Sequence, residues 1–186
     1  MNELSLFAQL GFKHILDVGA KDHLLFLAAL TVVFSLKDIK KLVLLVSLFT
    51  VSHTLSLALM AYDIIKVRSD FVEQAIVWTI IITALSNIIV PDKSKLQKLH
   101  LFYVFFFGLI HGMGFTHAFM MSISGTGNIL LPLISFAAGI EAGQVLFISG
   151  FLVITHFVFE RLFKVSDKSL ISSVSFFILG YSLSLI

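Results

Sequence analysis

Four residues that can bind metals or move protons fall within the ten-residue stretch HILDVGAKDH: His14, Asp17, Asp22 and His23. They stand at the mouth of the first strongly apolar segment. His53, His111 and Glu141 lie well inside three later ones. A charged side chain at the centre of a membrane helix costs ~2.5–3.5 kcal/mol on insertion scales, so such residues mark functional sites by default. Their types, imidazole and carboxylate with no cysteine in the chain, are those that hold borderline divalent metals.

Each group has its own local logic. If the first motif is helical, His14 and Asp17 share a face at i, i+3, while Gly19 and Ala20 permit a bend. Asp22 beside His23 pairs an oxygen donor with an imidazole, and a carboxylate can also orient a ligating imidazole through its second ring nitrogen. Asp17 or Asp22 could instead cap a helix. In GLIHGMGFTH, Gly108 and Gly112 form a small-xxx-small pair that lets helices approach closely, which turns His111 toward protein. His117 follows and could equally be interfacial. In FAAGIEAGQ, Gly139 and Gly143 repeat that pattern around Glu141, with Gln144 on the same face. A glutamate at this depth is protonated, paired or metal-bound, and the histidines are its expected partners. His53, among Ser52, Thr54 and Ser56, reads as a residue behind the ligands or on an ion path. Asn87 reads as a bridge between helices, and His156 with Glu160 as a surface pair.

The elements that must position these groups are transmembrane helices. The chain has 186 residues, is 58% hydrophobic and 13% charged, and has a mean hydropathy of +1.03. Soluble domains are ~45–50% apolar and ~25% charged. An all-α, polytopic helical bundle follows, as one integral membrane domain over residues 1–186 in which the polar segment 1–23 leads into the first span. About six spans are expected, near His23–Leu36, Leu42–Tyr62, Phe71–Val90, Leu99–Met121, Leu130–Phe159 and Ser169–Ile186. No basic region followed by an apolar stretch and a small-residue cleavage site opens the chain, so a cleavable signal peptide is not expected.

Nine basic residues sit in alternate connections: Lys37, Lys40, Lys41, Lys93, Lys95, Lys98, Arg161, Lys164 and Lys168. The other connections hold Lys66 and Arg68, or four basic residues with Lys13 and Lys21. The positive-inside rule then places both termini and the Gly/Ser-rich loop over 122–128 outside the cytoplasm. The polar set would occupy the outer half of the bundle. A net charge of +2, carried in short loops, reads as membrane topology and not as nucleic-acid binding.

The stretches GFKHILDVGAKDHLLFLAAL, FTVSHTLSLALM, FGLIHGMGFTHAF and FAAGIEAGQ together resemble the HupE/UreJ family of small bacterial membrane proteins, in the family's order and over most of the chain. The resemblance implies a permease for nickel or cobalt in the bacterial inner membrane, serving hydrogenase or urease maturation. The family's His…Asp-His motif maps onto His14, Asp22 and His23, and its His-Gly motif onto His111 and Gly112. Here seven residues separate His14 from Asp22, a longer spacing than in the hydrogenase-linked members. Where those members carry a glutamate after His-Gly, this chain offers His117.

Residues and resemblance together predict a permease for a divalent first-row transition metal, nickel or cobalt foremost, with nickel, cobalt or zinc as the ion bound. His14, Asp22, His23, His111 and Glu141 would bind the ion, and Asp17, His53, His117 and Gln144 would stand behind or along the path. No Gly-x4-Gly-Lys-Ser/Thr phosphate loop is present, so movement would be downhill or coupled to protons or the membrane potential. The alternative is an intramembrane metal-dependent hydrolase of the zinc type. His14, His23 and His111 would then be its ligands, and Asp22 or Glu141 a ligand or general base. The expected partners are the metal ion and the lipid bilayer, with a homo-oligomer through the Gly-xxx-Gly faces as a further option.

Overall fold

The computed structural model describes residues 3–19, 21–90, 92–123 and 129–186. Ala20 and most of the expected external loop, residues 124–128, lie outside the described residues. Helix dominates: α1 (Glu3–Leu16), α2 (Asp22–Thr31), α3 (Ile39–Ala61), α4 (Ser69–Ile89), α5 (Lys93–Gly114), α6 (Thr116–Ser122), α7 (Leu130–Ile154) and α8 (Asp167–Leu183). A 3-10 turn at Leu36–Asp38 precedes α3, and a π-helical stretch over Thr155–Leu162 continues α7. No strand occurs among the described residues. The all-α expectation holds.

The span count differs from the sequence reading. Among the described residues, three helices are long and apolar enough to cross a membrane: α3 with its leading turn, α4, and α7 with its π continuation. α5 and α6 make a fourth if their 51° bend is counted within one crossing. α1, α2 and α8 have 14, 10 and 17 residues, short of the ~20 that a full crossing needs. The expected first span stops early, at Thr31, and the polar lead-in before it is itself a helix. The chain breaks after Leu16, where Asp17 accepts a hydrogen bond from the Gly19 N–H at 2.8 Å. That local side-chain turn competes with helix continuation, so His14 and Asp17 do not share a helical face.

Local chemistry fixes the other boundaries. Asp38 caps the turn before α3: its carboxylate accepts from the Ser35 hydroxyl at 2.8 Å and from the Ser35 N–H at 3.3 Å. The Asp92 carboxylate accepts from the Ser94 and Lys95 N–H groups at the start of α5, and Ser166 accepts from the Ser169 N–H at the start of α8. Lys41 and Lys98 line one cavity, and Lys93 donates to Asp167 at 3.4 Å. The basic connections before α3, α5 and α8 therefore gather at one end of the bundle.

Two glycine seams set the packing. Along α3 and α5 the contacts advance together, Gly108 against Phe49 and Ser52, then Gly112 against His53 and Ser56, so these helices run parallel at close range. α1 and α7 do the same, with Gly11 on Phe136, Gly139 on Ala8 and Phe12, and Gly143 on Ile15. α2 runs antiparallel to α3, since His23 meets His53 and Phe26 stacks on Phe49. Asn87 bridges helices as expected: its amide donates to the Ala29 carbonyl at 2.8 Å and the Ser175 hydroxyl at 3.2 Å, and its oxygen meets His100 Nε2 at 3.1 Å. Outward-facing Leu44, Val51, Phe102, Phe106, Phe176 and Phe177 are exposed, a surface matched to lipid and not to water.

The α3–α5 seam leaves no room for a side chain. A Cβ at position 112 would overlap the His53 carbonyl, whereas one at position 150 meets nothing within 4 Å. Gly112→Ala is expected to lose ~1–3 kcal/mol to overpacking, read as a lower melting temperature in detergent, while Gly150→Ala melts like wild type. Equal melting of the two variants would show that the seam is not tight.

Candidate metal centre

Three helices deliver histidines to one point. His14 comes from the last turn of α1, His23 from the first turn of α2, and His53 from the interior of α3. Each offers a ring nitrogen within 4.8 Å of the others, close to the span that an ion with nitrogen bonds of ~2.1 Å bridges. The rings of His14 and His23 meet edge-on at 4.5 Å between centroids, and His53 lies 5.7 and 5.9 Å from them. His111, from the last turn of α5, joins through its ring contact with His23 at 5.2 Å.

The unused hydrogen-bonding capacity of these rings is what gives the cluster its chemistry. The Nε2 atoms of His14, His23, His53 and His111 are all buried without a hydrogen-bond partner, as is Nδ1 of His53. Buried polar atoms are otherwise nearly always paired, and an orphan costs ~1–3 kcal/mol. Two of the rings are held from behind. His111 Nδ1 lies 2.7 Å from the Phe107 carbonyl oxygen, which can only accept, so this nitrogen carries the proton and Nε2 keeps its lone pair. His23 Nδ1 faces the Asp22 carboxylate at 3.3 Å, an arrangement that fixes the tautomer and the orientation of the ring. Four imidazoles, each with a buried Nε2 that has no partner, form a donor set suited to nickel, cobalt, zinc or copper.

Phenylalanines wall the cluster. Phe115 packs on His14 at 3.9 Å between centroids, Phe136 lies 5.7 Å from the same ring, and Phe26 and Phe49 flank His111 at 5.5 and 5.3 Å. His23, His53 and His111 are at most 3% exposed. His14 is only half-buried and lines a cavity of about 600 Å³ with Lys13, Asp17, Val18 and Phe115. The way to the cluster therefore opens beside the break between α1 and α2.

The remaining candidates fall elsewhere. Asp17 is exposed and turned onto its own chain. His117 is exposed on α6. Glu141 is not grouped with the histidines. Its carboxylate meets the hydroxyls of Ser47 at 2.5 Å and Thr50 at 2.7 Å, and Thr50 also reaches Gln144 at 2.9 Å. Thr50 stands one turn before His53 on α3, so this oxygen cluster adjoins the histidines on the side of the basic end. The sequence reading placed His53 behind the ligands or on an ion path, and the fold groups its ring with those of His14 and His23. Ser47 and Thr50 were missed, although their spacing with His53 (i, i+3, i+6) puts all three on one helical face. His100, fully buried against Asn87, was also missed. His156 and Glu160 form the expected surface pair at 2.8 Å.

A helical membrane bundle closed around a buried polyhistidine centre is the class that fold and site define. The chain belongs to the HupE / UreJ family, whose model matches residues 1–186, the whole chain. No curated protein and no solved structure matches it.

If Asp22 orients His23, Asp22→Asn is expected to weaken divalent-metal affinity ~10–100-fold, measured by titration calorimetry with cobalt or nickel in detergent. Unchanged affinity would remove Asp22 from the site.

Proposed function

We propose that this protein is a permease for a divalent first-row transition metal ion, with nickel or cobalt as its cargo. The observation that carries the reading is the grouping of ring nitrogens of His14, His23 and His53 within 4.8 Å of one another, with His111 in ring contact with His23 and a buried, unpartnered Nε2 on each of the four. Membership of the HupE / UreJ family supports a role connected with these metals. Imidazoles without thiolates support release as well as binding, which conduction requires. An ion would enter by the cavity beside the α1–α2 break, meet His14 first, and shed its water among His23, His53 and His111.

In the orientation proposed here, the end bearing Lys37, Lys93 and Lys164 faces the cytoplasm. The absence of native cysteine makes this simple to check. A single cysteine at position 68 reacts with an impermeant maleimide in intact cells, and one at position 95 reacts only after lysis. The reverse pattern inverts the topology.

Purified protein in vesicles is expected to take up Ni²⁺ or Co²⁺, and His23→Ala/His53→Ala to reduce uptake at least tenfold while still folding. Elemental analysis before and after chelator separates the other class of function. About one retained, chelator-resistant ion per chain with no uptake would replace transport by a fixed hydrolytic centre.

A further inference from the structure

A cleft of about 520 Å³ lies between α2, the end of α7 with its π continuation, and α8. α8 gives it one helical face: Leu170, Val174, Phe177 and Ile178 stand at i, i+4, i+7 and i+8. Phe151 and Phe159 line it from α7 and the π stretch. Leu170 and Ile178 are buried, whereas Phe177 is exposed, so the cleft has a floor and an open rim. Only Thr155 and Ser173 among its lining residues are polar, and the Thr155 hydroxyl donates to the Leu152 carbonyl at 3.1 Å. No charged side chain lines it. Such a cleft offers nothing to an ion and is suited to hydrocarbon.

One end of the cleft is basic. Phe159, Val165 and Leu170 line that end, and between them the connection to α8 carries Arg161, Lys164 and Lys168, all exposed. These three cations have no carboxylate in ion-pair contact among the described residues. The nearby acids are already engaged, Glu160 with His156 at 2.8 Å and Asp167 with Lys93 at 3.4 Å. Arg161 stands over the Phe157 ring, 5.6 Å from its centroid. Lys164 has a φ of 53°, a left-handed backbone that glycine adopts without the steric cost a lysine bears.

Within a membrane, a second copy of the chain or a lipid could cover this face. A second copy related by a two-fold axis along the membrane normal would bring its own Arg161, Lys164 and Lys168 to the same end, setting like charges together. An anionic lipid complements both the hydrocarbon wall and the unpaired cations. We propose that the cleft is a binding site for an anionic phospholipid, with one acyl chain lying along α8 and the phosphate meeting Lys164 and Lys168, Arg161 beside them. Basic pockets between membrane helices hold anionic headgroups, at about fivefold in affinity per cation. None of the clustered histidines lines this cleft, so the site stands or falls independently of metal transport.

The test is native mass spectrometry of the purified full chain in detergent, titrated with phosphatidylglycerol or phosphatidylcholine of identical acyl chains. Wild type is expected to retain one phosphatidylglycerol at least tenfold more tightly than phosphatidylcholine. Lys164→Gln/Lys168→Gln, at two exposed positions, folds as wild type and loses that preference. Lys66→Gln/Arg68→Gln, at the opposite end of the bundle, keeps it. Ser173→Trp, which fills the cleft, weakens both lipids. Equal affinities in wild type, or a preference that survives in Lys164→Gln/Lys168→Gln, overturn the proposal. Competition by soluble glycerol phosphate at concentrations equal to the lipid overturns the role of the acyl chain. A chain that is dimeric by light scattering and monomeric as Ser173→Trp assigns the cleft to a second copy and overturns the lipid site.

Discussion

A lone pair on a buried ring nitrogen that meets no donor is a standing cost to a folded protein, and the architecture of this bundle follows from concentrating several at one point. Were each of the four histidines placed separately, its helix would gain by turning the ring to a carbonyl or a hydroxyl. Held together, a ring whose Nδ1 is engaged behind it, as in His111, has no proton left at Nε2 to give its neighbours, and adding protons sets like charges side by side. A cation bound among them, as proposed, would relieve that burden. The glycine seams bring α3 against α5 and α1 against α7, and the interruption after Leu16 lets a second helix begin with Asp22 and His23 inside the protein. Both features serve that convergence.

Sequence patterns revealed depth well and rotational facing poorly. Gly108 and Gly112 beside His111 announced a close seam, and the seam is there, with Gly112 on the His53 carbonyl. The placing of Asn87 between helices was equally legible, because a lone amide in an apolar segment has few other options. Glu141 was expected to partner the histidines and instead meets Ser47 and Thr50, because its height along α7 says nothing about which neighbour its face meets. Its actual partners, Ser47 and Thr50, drew no notice, since hydroxyls in apolar helices are commonly satisfied by their own preceding carbonyls. The helix break was half legible: Gly19 allowed a bend, but the turn made by Asp17 is a competition between two hydrogen-bonding modes that a pattern of residues does not decide.

Histidines and oxygens divide the labour along α3. At one level the donors are nitrogen lone pairs on rings locked by Phe107 and Asp22. One turn away they are hydroxyl and carboxyl oxygens whose protons can rotate. The first arrangement fixes ring orientation, and the second ties α3 to α7 through hydrogen bonds. Their adjacency on one helix means that a displacement of α3 moves both together.

The phenylalanines around the histidines have a consequence for which ions are admitted. Phe26, Phe49, Phe115 and Phe136 offer no oxygen to replace a hydration shell, so an ion reaching this chamber must trade water for nitrogen outright. Magnesium and calcium, hard ions that favour oxygen, with magnesium also reluctant to dehydrate, gain too little from imidazole to make that trade. Softer first-row ions gain enough. In the proposed permease the aromatic wall would work against the most abundant cellular divalent cations by what it withholds, leaving the histidines to choose among ions that nitrogen can hold.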